Sequence, residues 1–98
     1  MAKIVLTESF LQELKEIVDY LKFIAGEVVA SSTYNKILDA ISLLELFPYS
    51  GHVVYQETNG YTIYRIIKGR YNLFYTIENR TVFLLSVRDG KRQNKYPN

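Results

Sequence analysis

The sequence predicts an α+β fold: an N-terminal strand and a two-helix antiparallel hairpin packed on a twisted, mainly antiparallel sheet, in the order β-α-α-β-β-β-β. Three observations lead there. A chain of 98 residues that is 48% apolar can bury one small core, which predicts a single domain over residues 1–98. Apolar residues recur at helical spacing from Phe10 to Leu44. Beyond Gly51 the period changes, and short runs rich in β-branched and aromatic residues follow one another.

Residues 3–6 (KIVL) read as a first strand. Residues 7–12 (TESFLQ) read as a helix start, with Ser9 and Gln12 in the spacing of a capping box. Phe10, Leu14, Ile17, Val18, Leu21 and Ile24 then form an apolar stripe, with Glu13, Lys15, Glu16, Asp19 and Lys22 on the solvent side. Gly26 is placed to stop this helix. Ala30, Tyr34, Ile37, Leu38, Ile41 and Leu44 define the second helix. It ends in FPYSG, because Pro48 drives Phe47 out of helical geometry and Gly51 permits a left-handed turn. Two helices with a short link predict an antiparallel hairpin.

Four strands are expected next: residues 53–56 (VVYQ), 61–67 (YTIYRII), 71–77 (YNLFYTI) and 81–87 (TVFLLSV). The connections KGR (68–70) and ENR (78–80) are short, so their strands pair antiparallel. Side chains alternate along a strand. Tyr64 and Ile66 therefore share one face of residues 61–67, and Ile63, Arg65 and Ile67 the other. Along residues 71–77 Leu73 and Tyr75 oppose Asn72 and Phe74, and Tyr75 reads as a core residue. Two helices cover only one face of a sheet, so the second face is expected to expose apolar residues mixed with Arg65 and Asn72.

Several chemistries find no support. The chain has no cysteine, hence no disulfide framework or thiolate, which fits a cytosolic compartment. No apolar run reaches the ~18 residues of a membrane span, and the start turns polar too soon for a signal peptide. The single histidine, His52, reads as a loop residue after the Pro-Gly turn and has no ligand spacing or nucleophile elbow around it. There is no phosphate-binding glycine motif. No metal and no cofactor are expected.

The net charge of +2 hides an asymmetry. Residues 1–60 hold four lysines against eight acids (−4), and residues 61–98 hold eight cations against two acids (+6). One strongly basic region is the usual electrostatic footprint of a polyanion partner. It consists of Arg65, Lys68, Arg70 and Tyr71 around one hairpin, and Arg88, Lys91, Arg92, Lys95 and Tyr96 near the end, in VRDGKRQNKY (87–96). Guanidinium groups bind phosphate through charge-assisted pairs of hydrogen bonds, and tyrosine stacks on unpaired bases. Such a set could stabilise the negative charge developing on a phosphate without a metal.

The order strand, EIVDYL (16–21), AISLLELFPYSG (40–51), YRIIKGRYNLFY (64–75) and a last strand leading to GKR (90–92) resembles the RelE/ParE superfamily. These are the toxins of type II toxin–antitoxin modules, and the resemblance covers nearly the whole chain. It implies a cognate antitoxin that wraps the toxin and masks its basic surface, in the prokaryotic cytoplasm. It also implies one of two activities. RelE-like members cut mRNA in the ribosomal A site, whereas ParE-like members act on DNA gyrase and do not cut RNA.

On the RelE side, Arg65 is similar in placement to a catalytic basic residue, Arg92 looks like the arginine of GKR that contacts the scissile phosphate, and Tyr96 looks like the stacking tyrosine. Asn72 stands where RelE has a further catalytic arginine, for which Arg88 or Arg70 is a candidate substitute. The expected catalytic set is thus Arg65, Arg92, Tyr96 and Arg88, with Lys68, Arg70, Lys91 and Lys95 binding RNA. The first expectation is a ribosome-dependent mRNA endonuclease using a ribose 2′-OH as nucleophile. The long helical hairpin and FPYSG are more like ParE, so a non-enzymatic gyrase inhibitor, or a toxin fold without toxicity, stands as the alternative.

Overall fold

Seven elements follow the predicted order in a computed structural model that describes residues 1–91. They are β1 (Lys3–Leu6), α1 (Glu8–Ala25), α2 (Glu27–Leu46), β2 (His52–Gln56), β3 (Thr62–Lys68), β4 (Tyr71–Glu78) and β5 (Thr81–Asp89). The sheet order is β1-β5-β4-β3-β2. Strands β2 to β5 are antiparallel neighbours, and β1 lies parallel to the first half of β5, with Lys3 opposite Thr81 and Leu6 opposite Leu84. No described helix is long and apolar enough to cross a membrane.

The helical stripe meets the predicted strand face. Phe10 and Leu14 of α1 and Ile37, Ile41 and Leu44 of α2 are buried against Leu73, Tyr75, Val82 and Leu84. Each such side chain contributes about 1.5–3 kcal/mol on burial, so this seam is the main favourable term of the fold. The helices are joined by one residue. Gly26, at φ +90°, ends α1 through N–H bonds to the Leu21 and Lys22 carbonyls and starts α2, and glycine is the residue that tolerates that conformation.

The α1 start differs from the capping-box expectation. Thr7 is the N-cap, its hydroxyl oxygen accepting from the Phe10 N–H (3.2 Å), and the same hydroxyl donates to the Leu84 carbonyl (2.7 Å). A tertiary bond to β5 thus selects Thr7 over Ser9, and Gln12 instead donates to Glu16. The helix α2 starts three residues before Ala30, and His52 opens β2 rather than lying in a loop.

Both tight hairpins obey turn chemistry. Gly69, at φ +61°, takes the first central place between β3 and β4, as a type II′ turn requires. Asn79 (φ 48°) and Arg80 (φ 62°) are both left-handed between β4 and β5, the pattern of a type I′ turn. Gly51 does not take a positive φ, contrary to expectation. Glycine is needed there for space: a Cβ would lie 2.5 Å from the Tyr75 hydroxyl oxygen and 3.0 Å from the Arg65 carbonyl oxygen.

The second sheet face is also less bare than predicted. Ile63, Asn72, Phe74, Thr76 and Ser86 are buried, and Ile67 is the strongly exposed apolar residue of β3. Alternation along one strand ignores its neighbours. The strand β4 is central in the sheet, so side chains of β3 and β5 wall it in on both faces, and it is buried from Tyr71 through Thr76.

Candidate functional site

Register places the predicted basic residues at one end of the sheet. His52, Arg65, Phe74 and Ser86 form one row across β2 to β5, and Ile67, Asn72 and Arg88 form the next row of the same face. Arg65 and Arg88 are thus two strands and one row apart, roughly 12 Å between backbones. The turn residue Arg70 and the strand-end residue Lys68 border this rim, with Lys91 exposed just beyond β5. Arg92, Lys95 and Tyr96 lie outside the described residues.

Two of these arginines hold carboxylates. Arg70 Nε and Nη2 donate to Asp89 Oδ1 (3.1 Å) and Oδ2 (2.6 Å), a bidentate pair that joins the β3–β4 turn to the end of β5 and raises the Arg70 pKa. The junction is tightened by the Gly90 N–H, which donates to the Arg70 carbonyl, and by Asp89 Oδ1, which accepts from the Lys91 N–H (2.9 Å). Asp89-Gly90 therefore closes a local turn onto Arg70. Arg88 Nη2 lies 3.0 Å from Glu13 Oε2, and its Nε donates to the Ser86 hydroxyl oxygen (3.1 Å). Asn72 is 6% exposed beneath this rim.

Glu13, expected on a solvated helix face, faces β5 instead. Its other oxygen accepts from the Ser86 hydroxyl (2.7 Å) and the Val87 N–H (3.1 Å). Helical periodicity carries no signal for this, because the partner strand lies more than seventy residues away.

A groove of about 260 Å³ runs between α1 and the ends of β4 and β5, floored by Ile17, Tyr20, Leu21, Ile24 and Tyr71 with Arg70 and Arg88 on its rim. It leads to the hairpin tip, where Phe23 is 89% and Val28 84% exposed beside Ile24 and Val29. Neighbouring exposed apolar side chains of this kind are what a partner surface would cover.

A hairpin of two helices on such a sheet, with cations gathered at the sheet end, is the architecture of the small toxins of type II toxin–antitoxin systems. The family model described as the ParE toxin of type II toxin-antitoxin system, parDE, matches residues 4–94, and the chain belongs to that family. Among solved structures, the chromosomal ParDE toxin–antitoxin system from P. aeruginosa contains a similar chain. The TM-score is 0.75 at 11% identity, over 91% of this chain and 96% of that one. The archaeal RelE–RelB complex from Pyrococcus horikoshii OT3 gives a TM-score of 0.67 at 15% identity, over 94% of this chain and 98% of that one. At such identities the likeness is one of fold. No curated protein matches.

Proposed function

We propose that this chain is a toxin that arrests growth by binding DNA gyrase rather than by cutting RNA, and that a cognate antitoxin restrains it in a prokaryotic cytoplasm. The observation that carries the reading is the pairing of the rim arginines. Stabilising a developing phosphate charge calls for cations not already offset. Arg88 and Arg70 each face a carboxylate, at 3.0 Å and 2.6 Å, and the position where RelE-like members carry a further arginine holds the buried Asn72. Fixed, paired arginines suit recognition of a protein surface, where geometry sets specificity. Membership of the ParE toxin family supports the same direction, since ParE-like members of the superfamily act on gyrase.

The antitoxin accounts for the apolar surface. A partner segment presenting apolar side chains to the groove and hairpin tip would cover Tyr20, Phe23, Ile24 and Val28, which are exposed in the lone chain. Burial of these four side chains gives such a complex a hydrophobic centre beside a charged rim.

A second reading, mRNA cleavage, is favoured by Arg65, which stands on the sheet face away from the helices, and by the following GKR. Two measurements separate the readings. Purified protein is titrated into a gyrase supercoiling assay, and a message is mapped by primer extension after brief induction in a translating lysate. Inhibited supercoiling with an intact message is the expected result. Codon-phased, ribosome-dependent cuts with normal supercoiling would overturn the gyrase reading, and Arg65→Ala should then abolish them.

A further inference from the structure

The strand β5 outruns its neighbour. The partner β1 ends at Leu6, opposite Leu84, while β5 continues to Asp89. Beyond Leu84 the outer edge of β5 would present unpaired backbone groups, a template for unwanted pairing. The chain solves this with the helix that follows β1. Thr7 holds the Leu84 carbonyl by its N–H (3.2 Å) and its hydroxyl (2.7 Å). One helical turn and a half further on, Glu13 takes the next outward donor, the Val87 N–H.

The same carboxylate does more than protect an edge. It closes a ring with Ser86 and Arg88, in which Ser86 Oγ–H donates to Glu13, Arg88 Nε donates to Ser86 Oγ, and Arg88 Nη2 pairs with Glu13. The Arg88 side chain keeps 23% of its surface exposed. Of the five N–H donors of its guanidinium, the Nε–H donates to Ser86 among the described residues, while Nη2 lies at ion-pair distance from Glu13. The fork is thereby held in one orientation, with donors that no described residue takes left for an outside acceptor. An arginine free on the surface would have to lose its rotamer freedom on binding, and pre-ordering removes that cost.

We propose that Glu13 is a positioning residue of the toxin: its carboxylate fixes the Arg88 guanidinium, and the exit of β5, in the orientation that meets the target. This rests on the reading of Arg88 as a target-contacting residue.

The test is a double-mutant cycle read as toxic potency, the induction level that halts growth. The variants are Glu13→Gln, Arg88→Ala and the pair together, each checked for thermal stability and for hydrogen exchange at the Val87 amide. Glutamine keeps a side-chain oxygen for Ser86 and Val87 but removes the charge that holds Arg88. The expected result is a loss of potency of about tenfold in either single variant, with no further loss in the double, because both act through one contact. Val87 protection should survive in Glu13→Gln. Full potency in Glu13→Gln with a loss in Arg88→Ala overturns the positioning role and leaves Arg88 as a contact. Full potency in Arg88→Ala removes the reading of Arg88, and the inference with it. A loss in Glu13→Gln matched by lost Val87 protection, or adding to that of Arg88→Ala, also overturns it, since Glu13 would then act on the fold alone.

Discussion

The Tyr75 hydroxyl accepts from the Gly51 N–H at 3.0 Å while donating to the Pro48 carbonyl at 2.8 Å. One buried phenol therefore ties the turn after α2 to the central strand of the sheet. Its ring stacks on Tyr64 at 5.2 Å, and Tyr64 meets Tyr49 of the same turn edge-on at 6.0 Å. This ladder sets where β2 begins, and with it the pairing of His52 with Arg65.

Tyr75→Phe should lower stability by about 1–3 kcal/mol, the cost of leaving the Gly51 N–H and the Pro48 carbonyl without their partner. Gly51→Ala should cost about as much through overpacking, because its methyl would stand 2.5 Å from the phenol oxygen. The two changes should be less than additive, since removing the hydroxyl relieves part of the clash. Urea unfolding of the two single variants and the double measures this.

Burial raises the Tyr75 pKa above the ordinary phenol value of 10.0, against the opposing hydrogen bond from Gly51. The folded state thus holds the proton more tightly than the unfolded state. Its contribution is complete below pH 10 and is lost as the pH climbs through the higher folded value. Stability at alkaline pH should fall more steeply for the parent chain than for Tyr75→Phe. Unfolding midpoints between pH 8 and pH 11.5 would reveal parallel curves if the phenol plays no part.

Thr7→Ala should destabilise by about 1 kcal/mol or somewhat more, losing both the helix cap and the bond to Leu84. Ser9→Ala should stay within about 0.5 kcal/mol, as a surface change away from any cap. Equal effects in thermal melts would restore Ser9 as the cap.

Arg80 occupies a left-handed conformation that costs an L-residue roughly 1–2 kcal/mol. Arg80→Gly should therefore stabilise the β4–β5 hairpin by roughly 0.5–1 kcal/mol after the added flexibility of the unfolded glycine is offset. A higher melting temperature with unchanged growth arrest is the expected outcome.

Phe10 is fully buried at the centre of the helix–sheet seam. Phe10→Ala should cost about 3–5 kcal/mol, enough to leave the domain marginal. Calorimetry against Leu11→Ala, a neighbour that is 48% exposed, gives the contrast.

Element order was legible from Phe10, Leu14, Ile37 and Leu44, because a helix must repeat its apolar contacts every three or four residues to bury one side. The strand runs were legible from residue type and from the short KGR and ENR links. The Ser9 cap, the bare second face and the left-handed Gly51 were misread for one reason: each depended on a residue far away in the chain. Leu84 selects Thr7, the neighbours of β4 bury Asn72 and Phe74, and Tyr75 demands the small residue at position 51.

For the site, the sequence by itself determined that cations gather in the later part of the chain, since charge is a property of residue type. It also determined the strand patterns that put Arg65 and Asn72 on one face. Only the tertiary structure decided which cations are paired. The Glu13–Arg88 and Asp89–Arg70 contacts join residues 75 and 19 positions apart. Such pairs form when packing brings two strands or a helix and a strand together, and no local period encodes them. The parallel seating of β1 on β5 was likewise decided by tertiary packing, which leaves the end of β5 to be held by a helix.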